Sequence, residues 1–192
     1  MPRPRPQGQP TRGKTALNRL RQVDAYIALA HADVLSGGSP LVVDVGYGAY
    51  PWTALEMFER WLPINPRLRL LGLEIDSERV AVAQPYAQPG RIDFQLGGFN
   101  VAHNLGGNKA TVIRAYNVLR QYDKSEVSDA LHTIAQALAP NGLLIEGTSN
   151  PSKRFVAFDI YQINKVGILL HKVLVFGWNF RGICDVSKHP HP

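Results

Sequence analysis

A single cysteine, Cys184, in 192 residues leaves no partner for an internal disulfide and no thiolate set for a zinc cluster. A lone thiol also fits a reducing compartment. The six histidines lack metal-ligand spacing, and His189 and His191 merely flank a proline, so no metal is expected. No apolar run is long enough to span a bilayer. The longest, from Val166 to Trp178, is cut by His171 and Lys172. A secretory leader is missing too: Met1 to Pro10 is polar and proline-rich, with no apolar segment. From these absences the chain is expected to be cytoplasmic, with no membrane partner.

What is present is a core. Hydrophobic residues make up 45% of the chain, enough for one folded domain of this length. The formal charge is +6 and the pI about 9.6. Arg3, Arg5, Arg12 and Lys14 concentrate part of that excess at the N-terminus. A basic surface attracts polyanions such as RNA. Residues 1–13 read as a flexible, basic, proline-rich arm, because proline at alternate positions blocks helix and sheet pairing. Residues 14–192 read as a single domain, with an N-terminal helix over about 15–35 and a core over about 40–178.

The domain alternates strand and helix signals. Leu20, Val23, Ile27, Ala30 and Val34 form one helical stripe. Leu41–Val45 is an apolar run with little alternation, as expected of a strand buried on both faces of a parallel sheet. Further strands are expected at Leu68–Ile75, Arg91–Leu96, Ala110–Ala115, Leu143–Glu146 and Phe155–Asp159. Val166–Val175 is open to helix or strand; its β-branched residues and Gly167 favour strand. Helices are expected through Ala54–Leu62, after Asp76, and from Asp123, where Glu126 completes a capping-box variant. Residues 99 to 109 look like a loop in place of a helix. The fold class is therefore α/β: a Rossmann-like, mostly parallel sheet with helices on both faces and an antiparallel strand near the C-terminus.

Chemistry concentrates where the first strand ends. Gly46-Tyr47-Gly48 turns the chain toward a helix, and glycine lets a ligand approach the backbone. Ligands of open α/β sheets bind beyond the carboxyl ends of the strands. Glu74 closes the second strand, where a carboxylate can accept ribose hydroxyls. The dinucleotide fingerprint Gly-x-Gly-x-x-Gly is incomplete, since position 51 is proline. Asp44 ahead of the loop would repel a diphosphate but tolerate a cationic ligand.

Val43-Asp-Val-Gly-Tyr-Gly48 resembles the first motif of class I S-adenosyl-L-methionine (SAM)-dependent methyltransferases, and Leu71-Gly-Leu-Glu-Ile-Asp76 resembles their second. Phe94–Phe99 is similar to the segment bordering adenine, and Leu138–Leu144 to the turn before the fifth strand. The similarity covers about residues 40 to 148. Thr11–Thr15, Asn18–Arg21 and Asn117–Tyr122 are similar to uncharacterised bacterial methyltransferase-like proteins, a likeness that brings no substrate. The resemblance implies SAM as cofactor, held by Asp44, Gly46, Tyr47, Gly48, Glu74, Ile75, Gly98, Phe99 and Asn117. Arg114 is a further residue around the end of strand four.

Three departures stand out. Tyr50 replaces a third glycine. Gly98 replaces the acid that often binds the adenine amino group, so backbone groups of Gly98 and Phe99, or Asn100, would substitute. The C-terminus is brief, as in a chain that lacks a substrate-binding region or is truncated.

The implied activity is methyl transfer to an unidentified acceptor, with RNA favoured modestly over a small molecule through the basic arm, Arg19 and Arg21. Asn117, Tyr122, Asp123 and Glu146 are the candidates for catalysis; Asp123 has helix capping as its alternative. Cys184 lacks the motif of a cytosine-C5 methylating nucleophile. No Asn-Pro-Pro-Tyr element marks strand four, as in many enzymes that methylate base amino groups. Two other functions stay open: a non-catalytic SAM-binding module of an assembly, and an NAD-dependent oxidoreductase. Oligomeric state is not readable from the sequence.

Overall fold

The computed structural model describes residues 5–11, 16–150 and 154–178. Their element order is α1 (Arg21–Ala30), α2 (Ala32–Ser36), β1 (Leu41–Val45), α3 (Trp52–Trp61), β2 (Arg69–Glu74), α4 (Ser77–Ala83), β3 (Ile92–Leu96), β4 (Ala110–Tyr116), α5 (Lys124–Ala135), β5 (Leu138–Ser149), β6 (Phe155–Ile163) and β7 (Leu169–Trp178), with short 3₁₀ turns between. The strands form one seven-stranded sheet in the order β3-β2-β1-β4-β5-β6-β7. β1 to β5 run parallel, and β6 and β7 are antiparallel additions.

β1, β2 and β4 are buried on both faces, which explains their apolar runs, whereas the edge strand β3 alternates, with Asp93 and Leu96 exposed. On one face Val42, Leu70, Val112 and Phe158 pack under α1 and α3 through Val23, Ile27, Met57 and Trp61. On the other, Val43, Leu71, Ile113 and Leu144 pack under α5 through Leu131 and Ile134. The layers are thus helix, sheet, helix, as the alternating pattern implies.

The structure differs from the sequence reading at three boundaries. The first helix starts at Arg21, not near Thr15. Asn18 takes a left-handed φ of 60°, and its N–H donates to the Glu56 carboxylate at 2.7 Å, which stops the helix from extending back. It also breaks at His31, dividing α1 from α2. β5 extends on both sides of Leu143–Glu146, because Pro140-Asn141-Gly142 is absorbed as an irregularity in its pairing with β4 rather than ending the strand. Finally, the C-terminal part is a two-strand antiparallel meander, and Val166–Val175 contributes a hairpin turn and then strand. Among the described residues no helix is long and apolar enough to cross a membrane.

Candidate cofactor cleft

The carboxyl ends of β1, β2 and β3 meet at one place. Gly46 and Gly48 both take positive φ, 73° and 86°, so the turn after β1 requires residues without a Cβ penalty. Gly46 N–H donates to the Leu73 carbonyl at 2.7 Å, tying the loop to β2. Glu74 ends β2 with its side chain buried. Its Oε2 accepts from Gly48 N–H at 2.9 Å and its Oε1 from Ile75 N–H at 2.9 Å, while Arg79 Nη1 stands 3.7 Å away. Two loops are thereby organised around one carboxylate. Asp76 then caps α4, accepting from Glu78 N–H at 2.9 Å.

Beyond β3 lie Gly97, Gly98, Phe99 and Asn100. Gly46, Glu74, Ile75, Gly98 and Phe99 line one small cavity of ≈ 20 Å³. The expected cofactor residues therefore converge from three strands. Val45, Gly97 and Val118 add to this lining, and the facing wall comes from Gln7, Gly8, Gln9 and Thr11. Residues 5–11, read as a flexible arm, lie across the cleft and are held by isolated backbone bonds. Proline excludes regular pairing but leaves single carbonyls free to accept. Phe99 N–H donates to the Gln7 carbonyl at 2.9 Å, Gln121 Nε2 to the Gln9 carbonyl at 3.2 Å, and Arg79 Nη2 to the Thr11 carbonyl at 3.0 Å.

A second small cavity, of ≈ 40 Å³, opens past the glycine loop over the end of β4. Asn117 stands at its edge with φ 61°, a strained conformation for a non-glycine residue. Its amide binds β5 on both sides: Oδ1 accepts from Ser149 N–H at 2.9 Å, and Nδ2 donates to Ser149 Oγ at 3.1 Å. Arg19 Nε also donates to Ser149 Oγ, at 3.0 Å. Arg120 lines the same cavity. Burial, and then Arg120, pull the Arg19 pKa down. This end of the cleft is polar and cationic. Arg19 is thus at the cleft, whereas Arg21, expected beside it, is exposed on α1.

Several predicted residues face elsewhere. Asp44 does not point into the cleft. It sits beneath the loop, 3% exposed, and takes a two-pronged contact from Arg114, Nε to Oδ1 at 2.8 Å and Nη2 to Oδ2 at 2.9 Å. Arg114 is fully buried and also reaches Asp24 Oδ1 at 2.6 Å and the Thr53 carbonyl at 2.9 Å. One guanidinium thus serves two acids. Asp24 Oδ2 has no partner among the described residues, and burial pushes the Asp24 carboxyl up despite Arg114. This pairing is legible in principle: Asp44 and Arg114 are register partners on adjacent interior strands, each a lone charge in an apolar run.

The Tyr47 ring likewise turns inward, edge-on to Phe94 at 5.4 Å, leaving only its backbone to the loop. Tyr50 points outward, 48% exposed and stacked on Trp52, so it does not narrow the cleft. Tyr122 packs against Phe99 at 5.4 Å between ring centres, beside the arm. Asp123 is exposed and caps α5 in a capping box with Glu126. Glu146 is not a strand end, because β5 runs on to Ser149. It lies opposite Asp159 on the sheet, outside both cavities, and burial, with Asp159 adding repulsion, raises its pKa to about 7. Of the four candidates for catalysis, Asn117 alone lines the polar end.

A larger space, ≈ 520 Å³, lies at the opposite end of the sheet, by Arg69, Leu71, Arg91 and Leu105. It is the groove left where a helix between β3 and β4 is replaced by loop, and it touches none of the cleft residues. Among the described residues no cluster of His, Cys, Asp or Glu could hold a metal ion. Cys184, His189 and His191 lie outside the described residues, as do Arg3, Arg12 and Lys14.

The architecture has solved counterparts. A SAM-bound amino pentose methyltransferase from Micromonospora echinaspora, involved in calicheamicin biosynthesis, matches 88% of this chain and 79% of its own, with 17% identity and a TM-score of 0.50. A Plasmodium falciparum chain assigned as a protein-L-isoaspartate O-methyltransferase, in complex with S-adenosyl-L-homocysteine, matches 91% of this chain and 79% of its own, at 16% identity and a TM-score of 0.51. A Galdieria sulphuraria chain assigned as a sarcosine dimethylglycine methyltransferase matches 67% of this chain, at 16% identity and a TM-score of 0.52; there the match spans 46% of the longer chain. No family model and no curated protein matches the sequence. The chain has the fold of the class I SAM-dependent methyltransferases.

Proposed function

We propose that the chain is a SAM-dependent methyltransferase. The observation that carries this reading is the convergence of the Gly46–Gly48 loop, Glu74 and the Gly98–Asn100 segment on one cleft at the carboxyl ends of β1, β2 and β3. In this reading Glu74 accepts the ribose hydroxyls, through lone pairs that its two loop N–H bonds leave open. Phe99 N–H and the Asn100 side chain offer a donor and an acceptor to the adenine edge, in place of the acid absent at Gly98. The cationic end, with Arg19 and Arg120, suits the cofactor's carboxylate. Bound there, SAM supplies a methyl group that is already electrophilic. The chain's own work is then to align an acceptor near Asn117 and Ser149, an effect worth about 7–11 kcal/mol at best.

The acceptor that the chain's charge favours is RNA, through the basic arm. Its binding should weaken steeply with salt, and no binding at low salt would remove it. A non-catalytic module would bind SAM without turnover on any pool of RNA, protein or metabolites. Thermal shift with SAM, S-adenosyl-L-homocysteine and NAD in parallel tests the cofactor assignment. Stabilisation by the first two is expected, and stabilisation by NAD alone would reject the proposal.

A further inference from the structure

The arm does more than pass near the cleft. Gln7 places its backbone carbonyl 2.9 Å from Phe99 N and its N–H 3.1 Å from Asn100 Oδ1. An acceptor and a donor side by side is also the pattern of an adenine edge, with N1 accepting and the exocyclic N6 amine donating. Asn100 is 7% exposed, and its other amide atom, Nδ2, donates to the Arg5 carbonyl at 3.2 Å. Both side-chain bonds of a buried amide therefore go to the arm, and a departing arm would leave them to be replaced.

Close approach is built into both partners. A Cβ on Gly98 would lie 2.0 Å from the Gln7 carbonyl oxygen, so the arm can dock only because that position is glycine. Gly8 adopts φ 124°, a conformation side chains rarely take, and faces the Phe99 ring and Tyr122. Farther along, Thr11 holds Arg79, the neighbour of Glu74. The space left, ≈ 20 Å³, is about that of one or two waters. A nucleoside does not fit with the arm in place, and Phe99 N–H cannot serve both.

We infer that residues 5–11 are an internal competitor of the cofactor, a strap that occupies the adenosine half of the cleft and must leave before the cofactor enters. This rests on the SAM reading above. The strap lowers apparent affinity by the fraction of time it is docked: docking for about nine-tenths of the time weakens binding about tenfold. By linkage, cofactor binding must release the strap in return.

The test is calorimetric titration of S-adenosyl-L-homocysteine into three chains: the full chain, full-length Gly8→Val, and a chain lacking residues 1–10. Gly8→Val forbids the docked backbone while leaving the cleft residues intact. Both altered chains are expected to bind about tenfold tighter than the full chain. Amide exchange over residues 5–11 of the unaltered chain should also quicken when the ligand saturates it. Equal affinities in all three chains would overturn the strap and leave the cofactor reading standing. Weaker binding by the altered chains, with slower exchange on saturation, would make the arm a lid that closes over the ligand, and would overturn the competition. No binding by any of the three would remove the cofactor reading itself.

Discussion

Asp44 and Glu74 stand near the ends of adjacent strands, each an acid after an apolar run, yet they belong to different regions. Asp44 lies in the layer between sheet and helices, clasped by a fully buried Arg114. Glu74 lies where the strands stop and accepts loop N–H groups beside a cavity. Position along the strand decides the difference. Asp44 has Val45 still to come and is covered by α1 and α3, whereas Glu74 is the last residue of its strand, and chain turns replace helix above it. Both acids are buried, and what differs is the partner: Asp44 answers a core guanidinium and serves the fold, whereas Glu74 answers loop N–H groups at the strand end, where ligands of such sheets bind.

The sharpest way to break this comparison is Asp44→Ala. It leaves Arg114 buried with half of its partners gone and should cost about 3–5 kcal/mol in urea unfolding. A loss under about 1 kcal/mol would show that Asp44 is not structural. Glu74→Gln should do the opposite: retain most of the stability, but weaken S-adenosyl-L-homocysteine binding tenfold or more, about 1.4 kcal/mol. Unchanged affinity would end the ribose assignment.

A third carboxylate carries an effect of pH. The pKa of Glu146, about 7 in the fold, lies above its unfolded value, so its proton favours the folded state. That contribution is whole below the unfolded pKa, near 4.3, and is lost as pH rises through 7. Unfolding free energy should therefore fall from pH 5 to pH 8 through this group. Glu146→Gln should flatten that slope, and an equal slope in both chains would assign the effect elsewhere.

The same contrast explains what could be read beforehand. Strands β1 to β4, the glycine turn and Glu74 are legible because local periodicity and local turn chemistry produce them. Glu126 likewise announces the α5 cap. The arm's docking is not legible: single backbone bonds from Gln7, Gln9 and Thr11 leave no side-chain pattern. Glu146 reads as a strand end because a proline–asparagine–glycine turn signal does not reveal that β5 absorbs it and runs on to Ser149. Asp24 carries no signal of its burial, because one acid beside a helical stripe has the pattern of a solvated face, and its partner Arg114 is 90 residues away.

The meander of β5, β6 and β7 bears on how this chain reaches its fold. Its strands are consecutive in the chain and pair antiparallel, so they can pair as soon as a short stretch of chain collapses. The seam between β1 and β4 must bring Asp44 to Arg114 across 70 residues of intervening chain. Loop closure of that size delays it. The meander is therefore the expected nucleus, and the ion pair is the late step that locks the domain. Substitutions in β6 should slow refolding, while those at the seam should chiefly hasten unfolding, a division that the two limbs of a denaturant chevron would display.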